Sequence, residues 1–164
     1  MNAIMTSFKL KDGTTVDGAL QSKIWVASGF EPATIEYAEE FGRWLAGQGE
    51  NVIVEKETLT TSQIRNIYGE VVRLKMQGWG KETEHSLLLL KARLAYATEK
   101  PPAKIGPKSF RKVMEPALDA IFGGEDEDKK FARFMRFADF FESVLAYHRI
   151  NDKKSNSQPF TQRS

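Results

Sequence analysis

Residues 59–75 read LTTSQIRNIYGEVVRLK, and the fold class turns on this run. Thr60 and Gln63 stand at the spacing of a capping box, in which each side chain satisfies a free backbone N–H at a helix start. Beyond them Ile64, Ile67, Tyr68, Val71 and Leu74 share one arc of a helical wheel, while Ser62, Arg65, Gly69 and Arg73 share the opposite side. The pattern predicts a helix from Thr60 to about Gly78 with a core face and a basic face.

Reading outward from there, the rest of the chain is also mostly helical in period. From about Glu82 to Lys100 the run Leu87, Leu88, Leu89, Leu90 points apolar groups in every direction, which predicts a helix central to a bundle. Pro101 and Pro102 stop it, and a basic linker leads to a further helix from Lys108 to Phe122, with Pro116 as a kink and Gly123-Gly124 as its end. Glu125, Asp126, Glu127 and Asp128 then supply the negative charge that a helix N-terminus favours. Phe131, Phe134, Phe137, Phe141 and Leu145 follow at helical spacing, an aromatic stripe read as core rather than as a base-stacking platform.

On the N-terminal side, Pro32 to about Gly47 forms a helix whose buried face is expected to hold Ile35, Ala38, Phe41, Trp44 and Leu45. The first 30 residues are punctuated by Asp12-Gly13, Asp17-Gly18 and Ser28-Gly29 and show no sustained period, so 1–30 is expected to be extended or irregular. Residues 151–164, polar and aperiodic, are expected to be a flexible tail. The expectation is an all-α fold: one compact bundle of about five helices over residues 31–150.

Hydrophobic residues at 41% and charged residues at 28% suit a soluble folded chain of 164 residues. No run approaches the roughly 18 apolar residues that cross a bilayer, and the N-terminus has no uninterrupted apolar signal core, so the expected location is cytoplasmic, with no membrane partner. Cysteine is absent, which removes disulfides and thiolate chemistry together. The net charge of +2 conceals an asymmetry: residues 59–112 hold 11 basic and 4 acidic side chains, against 5 and 9 in residues 1–58 and 8 and 9 in residues 113–164. A basic middle between acidic flanks points to a surface that faces a polyanion.

Motifs for familiar enzymes are missing: there is no Walker loop, dinucleotide glycine fingerprint, HExxH pair or GxSxG elbow. His85 lacks a partner at metal-ligand spacing, and His148 reads as a partly protonated imidazole near the end of the last helix, favoured by the helix dipole. No catalytic residue, cofactor or metal is assigned. The basic face is the better candidate site. Arg65, Gly69 and Arg73 step by four along one line, and Gly69 lowers helix propensity by roughly 1 kcal/mol relative to Ala. Either a partner approaches the bare backbone there between two guanidinium groups, or the face is merely solvated and Gly69 packs on a neighbouring helix.

Lys91 and Arg93 point about 200° apart on their helix, so they cannot both meet one flat surface. Arg133 and Arg136, with Lys129, either extend a basic track or cover the bundle with their apolar stems.

Three segments, residues 59–75, LLLLKARLAYA at 87–97 and FARFMRFADFFESVLAYHR at 131–149, together resemble the small-subunit family of the type III-A CRISPR effector, the Csm complex. The resemblance implies a compact all-α protein present in multiple copies along the belly of that complex. It also implies packing beside the repeated backbone subunits and the large subunit, contact with other copies of itself, and contact with target RNA and guide crRNA through basic side chains. In the family the backbone and large subunits carry the catalytic activities, so the implied role is non-catalytic. By matching position, Ser62, Gln63, Arg65 and Arg73 in the first motif and Lys91 and Arg93 in the second are the RNA-facing candidates, with Arg133 and Arg136 added from the last helix. The chain departs from the family after Tyr96, where Ala97-Thr98-Glu99-Lys100 replaces small residues, glycine and arginine and leaves Lys100 as a substitute cation. The rival reading is a helical adaptor in an assembly unrelated to RNA, its basic middle set against an acidic protein surface.

Overall fold

Thr60 and Gln63 exchange the two hydrogen bonds of a capping box: the Thr60 N–H donates to Gln63 Oε1 at 2.8 Å and the Gln63 N–H to Thr60 Oγ1 at 3.3 Å. The helix begun there ends at Gly78, whose φ of 90° favours glycine. In the structure, a computed structural model describing residues 3–152, this helix is the third of six. The order is β1 Ser7–Lys9, β2 Thr15–Asp17, α1 Gly18–Ser28, α2 Pro32–Leu45, a short 3-10 turn Glu55–Glu57, α3 Thr61–Gln77, α4 Lys81–Glu99, α5 Ile105–Phe122 and α6 Glu127–Asn151. The expected tail lies, from residue 153 on, outside the described residues. Among the described residues no helix is long and apolar enough to cross a membrane.

The helices stack in two layers, α1, α5 and α4 over α2, α6 and α3, with α5 lying on α6 at the centre. Most of the aromatic stripe of α6 is core: Phe134, Phe137, Phe141 and Leu145 are buried, as is Phe140 beside them, but Phe131, in the first turns of the helix, is 40% exposed. Phe141 meets Phe110 edge-on at 5.3 Å, and Phe140 lies 5.7 Å from Trp25. A second aromatic cluster joins Phe8 to Tyr37, Phe41 and Trp44 under the hairpin. Each ring pair contributes about 0.5–1.5 kcal/mol beyond its buried area.

The first 30 residues meet the expectation in part, extended up to Asp17 but helical after it. Residues 7–9 and 15–17 pair as an antiparallel hairpin, with Phe8 opposite Val16, and an 11-residue helix follows. Asp17-Gly18, read as a turn, is a helix start: Asp17 Oδ1 accepts from the Ala19 N–H at 3.0 Å. Gly18 is the first helical residue, held because the Tyr37 ring occupies the space of any Cβ. Apolar groups on most sides of α1 hide the one-face period by which a helix is recognised.

Two further expectations are corrected. In α4 the seam Leu87, Leu90 and Leu94 is buried, but Leu88 is 54% and Leu89 48% exposed. This helix packs mainly on α3 and α5, touching α6 where Lys130 bonds Glu84 at 3.0 Å, and the central position belongs to α6. In α2 Ile35 is exposed, and Thr34 and Tyr37 join the buried face instead.

His148 is also differently placed. It is fully buried where α6 passes the Leu59 carbonyl, with Nε2 at 2.6 Å from that oxygen and Nδ1 without a hydrogen-bond partner. Burial, the largest influence, lowers its pKa from the ordinary value. The imidazole is therefore neutral, with Nε2–H donating to Leu59, rather than partly protonated. Beside it α2 and α6 approach closely at Gly42: a Cβ there would lie 2.7 Å from the Val144 carbonyl oxygen and 2.8 Å from the His148 nitrogen.

Candidate nucleic-acid interface

α3 and α4 form an antiparallel pair joined at residues 78–80. Burying Ile64, Ile67, Val71 and Leu74 on one helix and Leu87, Leu90 and Leu94 on the other turns the remaining faces outward together. The outward side of α3 carries Ser62, Arg65, Asn66, Gly69, Arg73 and Met76, and that of α4 carries His85, Leu89, Arg93, Tyr96 and Lys100, all exposed.

Arg65 and Arg93 have no hydrogen bond or ion pair among the described residues. Between the candidate cations of α3, Gly69 has nothing within 4 Å of the position a Cβ would take. It does not pack on a neighbouring helix, which removes the structural explanation for its presence. Arg73 is exposed but engaged: its Nη2 and Nε fork onto Glu70 at 2.7 and 3.0 Å, and Nη1 donates to Gln77 at 3.0 Å. The hydrogen bonds from Arg73, followed by the charges of Arg73 and Arg93, hold the Glu70 carboxyl below its usual range. Arg93 thus lies near enough to α3 for its field to reach Glu70.

The other candidates are divided by the fold. Ser62 is exposed, with Oγ 3.2 Å from Thr60 Oγ1, while Gln63 Oε1 is occupied in the cap. Lys91 points to the other side of α4 from Arg93, as their spacing required, and pairs with Asp119 of α5 at 2.9 Å. This hydrogen bond raises the Lys91 pKa.

Arg133 Nη1 donates to the Ala120 carbonyl at 2.7 Å, closing the C-terminal end of α5. Arg136 does the same for α1, with Nε 2.7 Å from the Val26 carbonyl and Nη2 3.1 Å from that of Ala27. Lys129 is bonded to Glu125 at 2.9 Å. The track imagined along α6 therefore consists of side chains already occupied by carbonyls and a carboxylate.

The exposed apolar members of the face were missed from the sequence: Tyr96 is 70% and Met76 84% exposed. A signal for Tyr96 existed, since nine residues after Leu87 places it about 180° from that seam residue. Lys104, Lys108 and Lys112, without ion pairs among the described residues, follow at four-residue steps where α5 begins and add positive charge after Lys100. At the other end of the pair a shallow notch of about 440 Å³ is lined by Arg73, Gln77, Lys81, Glu82, His85 and Ser86. Among the described residues no group of three His, Cys, Asp or Glu is disposed to hold a metal ion. The arrangement can attract and hold an anion along α3 and α4.

Comparison with known proteins agrees with the resemblance. The family model Csm2 Type III-A matches residues 33–154, from the first turn of α2 past the end of α6, and so contains all three of the segments that carried it. Searches among curated proteins and among solved structures each returned no match. With most of its length matched, and with the helical architecture described above, the chain belongs to the Csm2 type III-A family, the small subunits of the type III-A CRISPR complex.

Proposed function

We propose that this small subunit is a non-catalytic, RNA-binding part of the type III-A interference complex, holding target RNA and the guide–target duplex through phosphate contacts. It packs in multiple copies beside the backbone subunits. The observation that carries this reading is the pair of unengaged guanidinium groups, Arg65 and Arg93, on adjacent outward faces with bare Gly69 beside them. An arginine without an internal partner forks readily onto phosphate oxygens, whereas Arg133 and Arg136 would first have to release helix ends. Phosphate contacts carry no sequence information, so recognition is left to base pairing in the guide and target.

The test is the salt dependence of RNA binding. Each phosphate contact contributes a slope of about 0.7–0.9 in log affinity against log salt. The double variant Arg65→Ala, Arg93→Ala is expected to lower that slope by roughly 1.5 and to weaken binding to any sequence alike. Both side chains are exposed, so thermal stability should hold within about 0.5 kcal/mol. Unchanged affinity and slope in a folded double variant would remove the RNA face from these helices.

A further inference from the structure

The outward face of α4 is not uniformly basic. From residue 85 to residue 100 it reads His85, Leu89, Arg93, Tyr96, Lys100, steps of four, four, three and four that lie along one line of the helix. The line is roughly 22 Å long at 1.5 Å per residue and contains no carboxylate. Glu99 is turned toward α5, where Arg111 Nη1 lies 3.6 Å away. Along it the apolar groups Leu89 and Tyr96 alternate with the cations Arg93 and Lys100, between which the Tyr96 ring stands 70% exposed. The Lys100 ammonium lies 5.6 Å from the ring centroid. The exposure is that of the ring with Lys100 in this position, so much of its flat surface remains open.

We propose that Tyr96 is a stacking platform for an unpaired base of RNA, with Arg93 and Lys100 taking the phosphates on either side. This rests on the RNA-binding reading above and deepens it from phosphate contact to a contact with a base. The charge of the stripe selects a polyanion. The alternation selects a strand whose bases are accessible, because a duplex presents its sugar–phosphate surface and keeps its base faces inside the stack. Arg93 and Lys100 are roughly 10 Å apart along the axis, the reach of an extended dinucleotide whose intervening base meets the ring. Every base has a flat face, so the contact tolerates any sequence while distinguishing unpaired from paired RNA. Leu89, 48% exposed one turn before Arg93, continues the apolar surface for a neighbouring base.

The experiment titrates the full chain with a single-stranded oligoadenylate and, separately, with a blunt RNA duplex, up to millimolar RNA. It follows the tyrosine ring protons by NMR and measures affinity for both ligands. Of the four tyrosines, Tyr96 is assigned by the signal lost in Tyr96→Phe. The expected result is an upfield shift of the Tyr96 ring protons with the single strand. Tyr96→Ala should weaken single-strand binding about tenfold while Tyr96→Phe stays within about twofold of the parent. Duplex affinity should be the same in all three.

Tyr96→Ala that binds the single strand like the parent, or that weakens strand and duplex equally, overturns the stacking platform. Intact RNA binding by Tyr96→Ala with lost assembly on the backbone subunits overturns it too, assigning the ring to a protein contact. Shifts at the Arg65 and Arg93 side chains with none at Tyr96 sink the stacking contact alone. No shift at any of the three removes the RNA-binding reading as well.

Discussion

Gly42 in α2 and Gly69 in α3 lie in mid-helix, and alanine at the two should change stability in opposite directions. Helix propensity favours alanine by about 1 kcal/mol at both. At Gly69 nothing lies within 4 Å of the added methyl, so that gain stands alone. At Gly42 the methyl would meet the Val144 carbonyl oxygen at 2.7 Å, the His148 nitrogen at 2.8 Å and the Tyr147 Cβ at 2.8 Å. Two of these are backbone atoms of α6, which no rotamer change can move. Relief requires displacing α2 from α6 by several tenths of an ångström, at the upper end of the roughly 1–3 kcal/mol typical of overpacking. Subtracting the propensity gain leaves Gly42→Ala about 2 kcal/mol less stable than the parent. For a domain of this size that lowers the melting temperature by about 4–8 °C, against a rise of about 2–4 °C for Gly69→Ala. Calorimetry or urea unfolding of the two variants beside the parent measures both. Effects of the same sign would refute the reasoning, because the only difference invoked is the space around the new methyl.

Arg136→Ala should destabilise the protein by about 2 kcal/mol, since it strips charge-assisted bonds from two carbonyls at the end of α1; a loss under about 0.5 kcal/mol in urea titration would mean that water replaces the guanidinium without penalty. His148 has its pKa lowered by burial, so the unfolded chain takes up a proton that the folded chain refuses. Its contribution is complete above the ordinary histidine value of 6.5 and is lost as the pH falls below it toward the folded value. Urea midpoints should therefore decline between about pH 7.5 and pH 5.5, and decline less in His148→Gln; equal declines would place the pH dependence elsewhere.

Features set by neighbours in the chain were legible in the sequence. The Thr60–Gln63 cap, the buried stripe of α3 and the acidic start of α6 depend on residues three or four apart, and each is found as expected. Features set by distant partners were not. Four consecutive leucines in α4 say only that some direction is apolar; which two are buried depends on where α3 and α5 lie. Arg133 and Arg136 resemble free cations in the sequence because the carbonyls they meet belong to residues 13 and about 110 positions away. Asp17-Gly18 misled because one dipeptide serves both a turn and a helix cap, and only the Tyr37 ring against Gly18 distinguishes the two. Of the candidate site, the arginines of α3 were readable from their line on the wheel, whereas the engagement of Arg73 by Glu70 and the isolation of Arg93 needed coordinates.

The helix that closes α1 and α5 with its arginines and buries most of the aromatic core is also the one synthesised after all the others. Until the ribosome has added residues past 151, four of the five preceding helices, α1, α2, α3 and α5, lack the partner they share. Phe110 and Trp25 have only part of their eventual cover, and the ends of two helices are open to water. Such a chain completes its core only by long-range closure, which is slow and exposes sticky surface meanwhile. Premature termination within α6 would therefore yield material for chaperones and proteases rather than a shortened but working subunit.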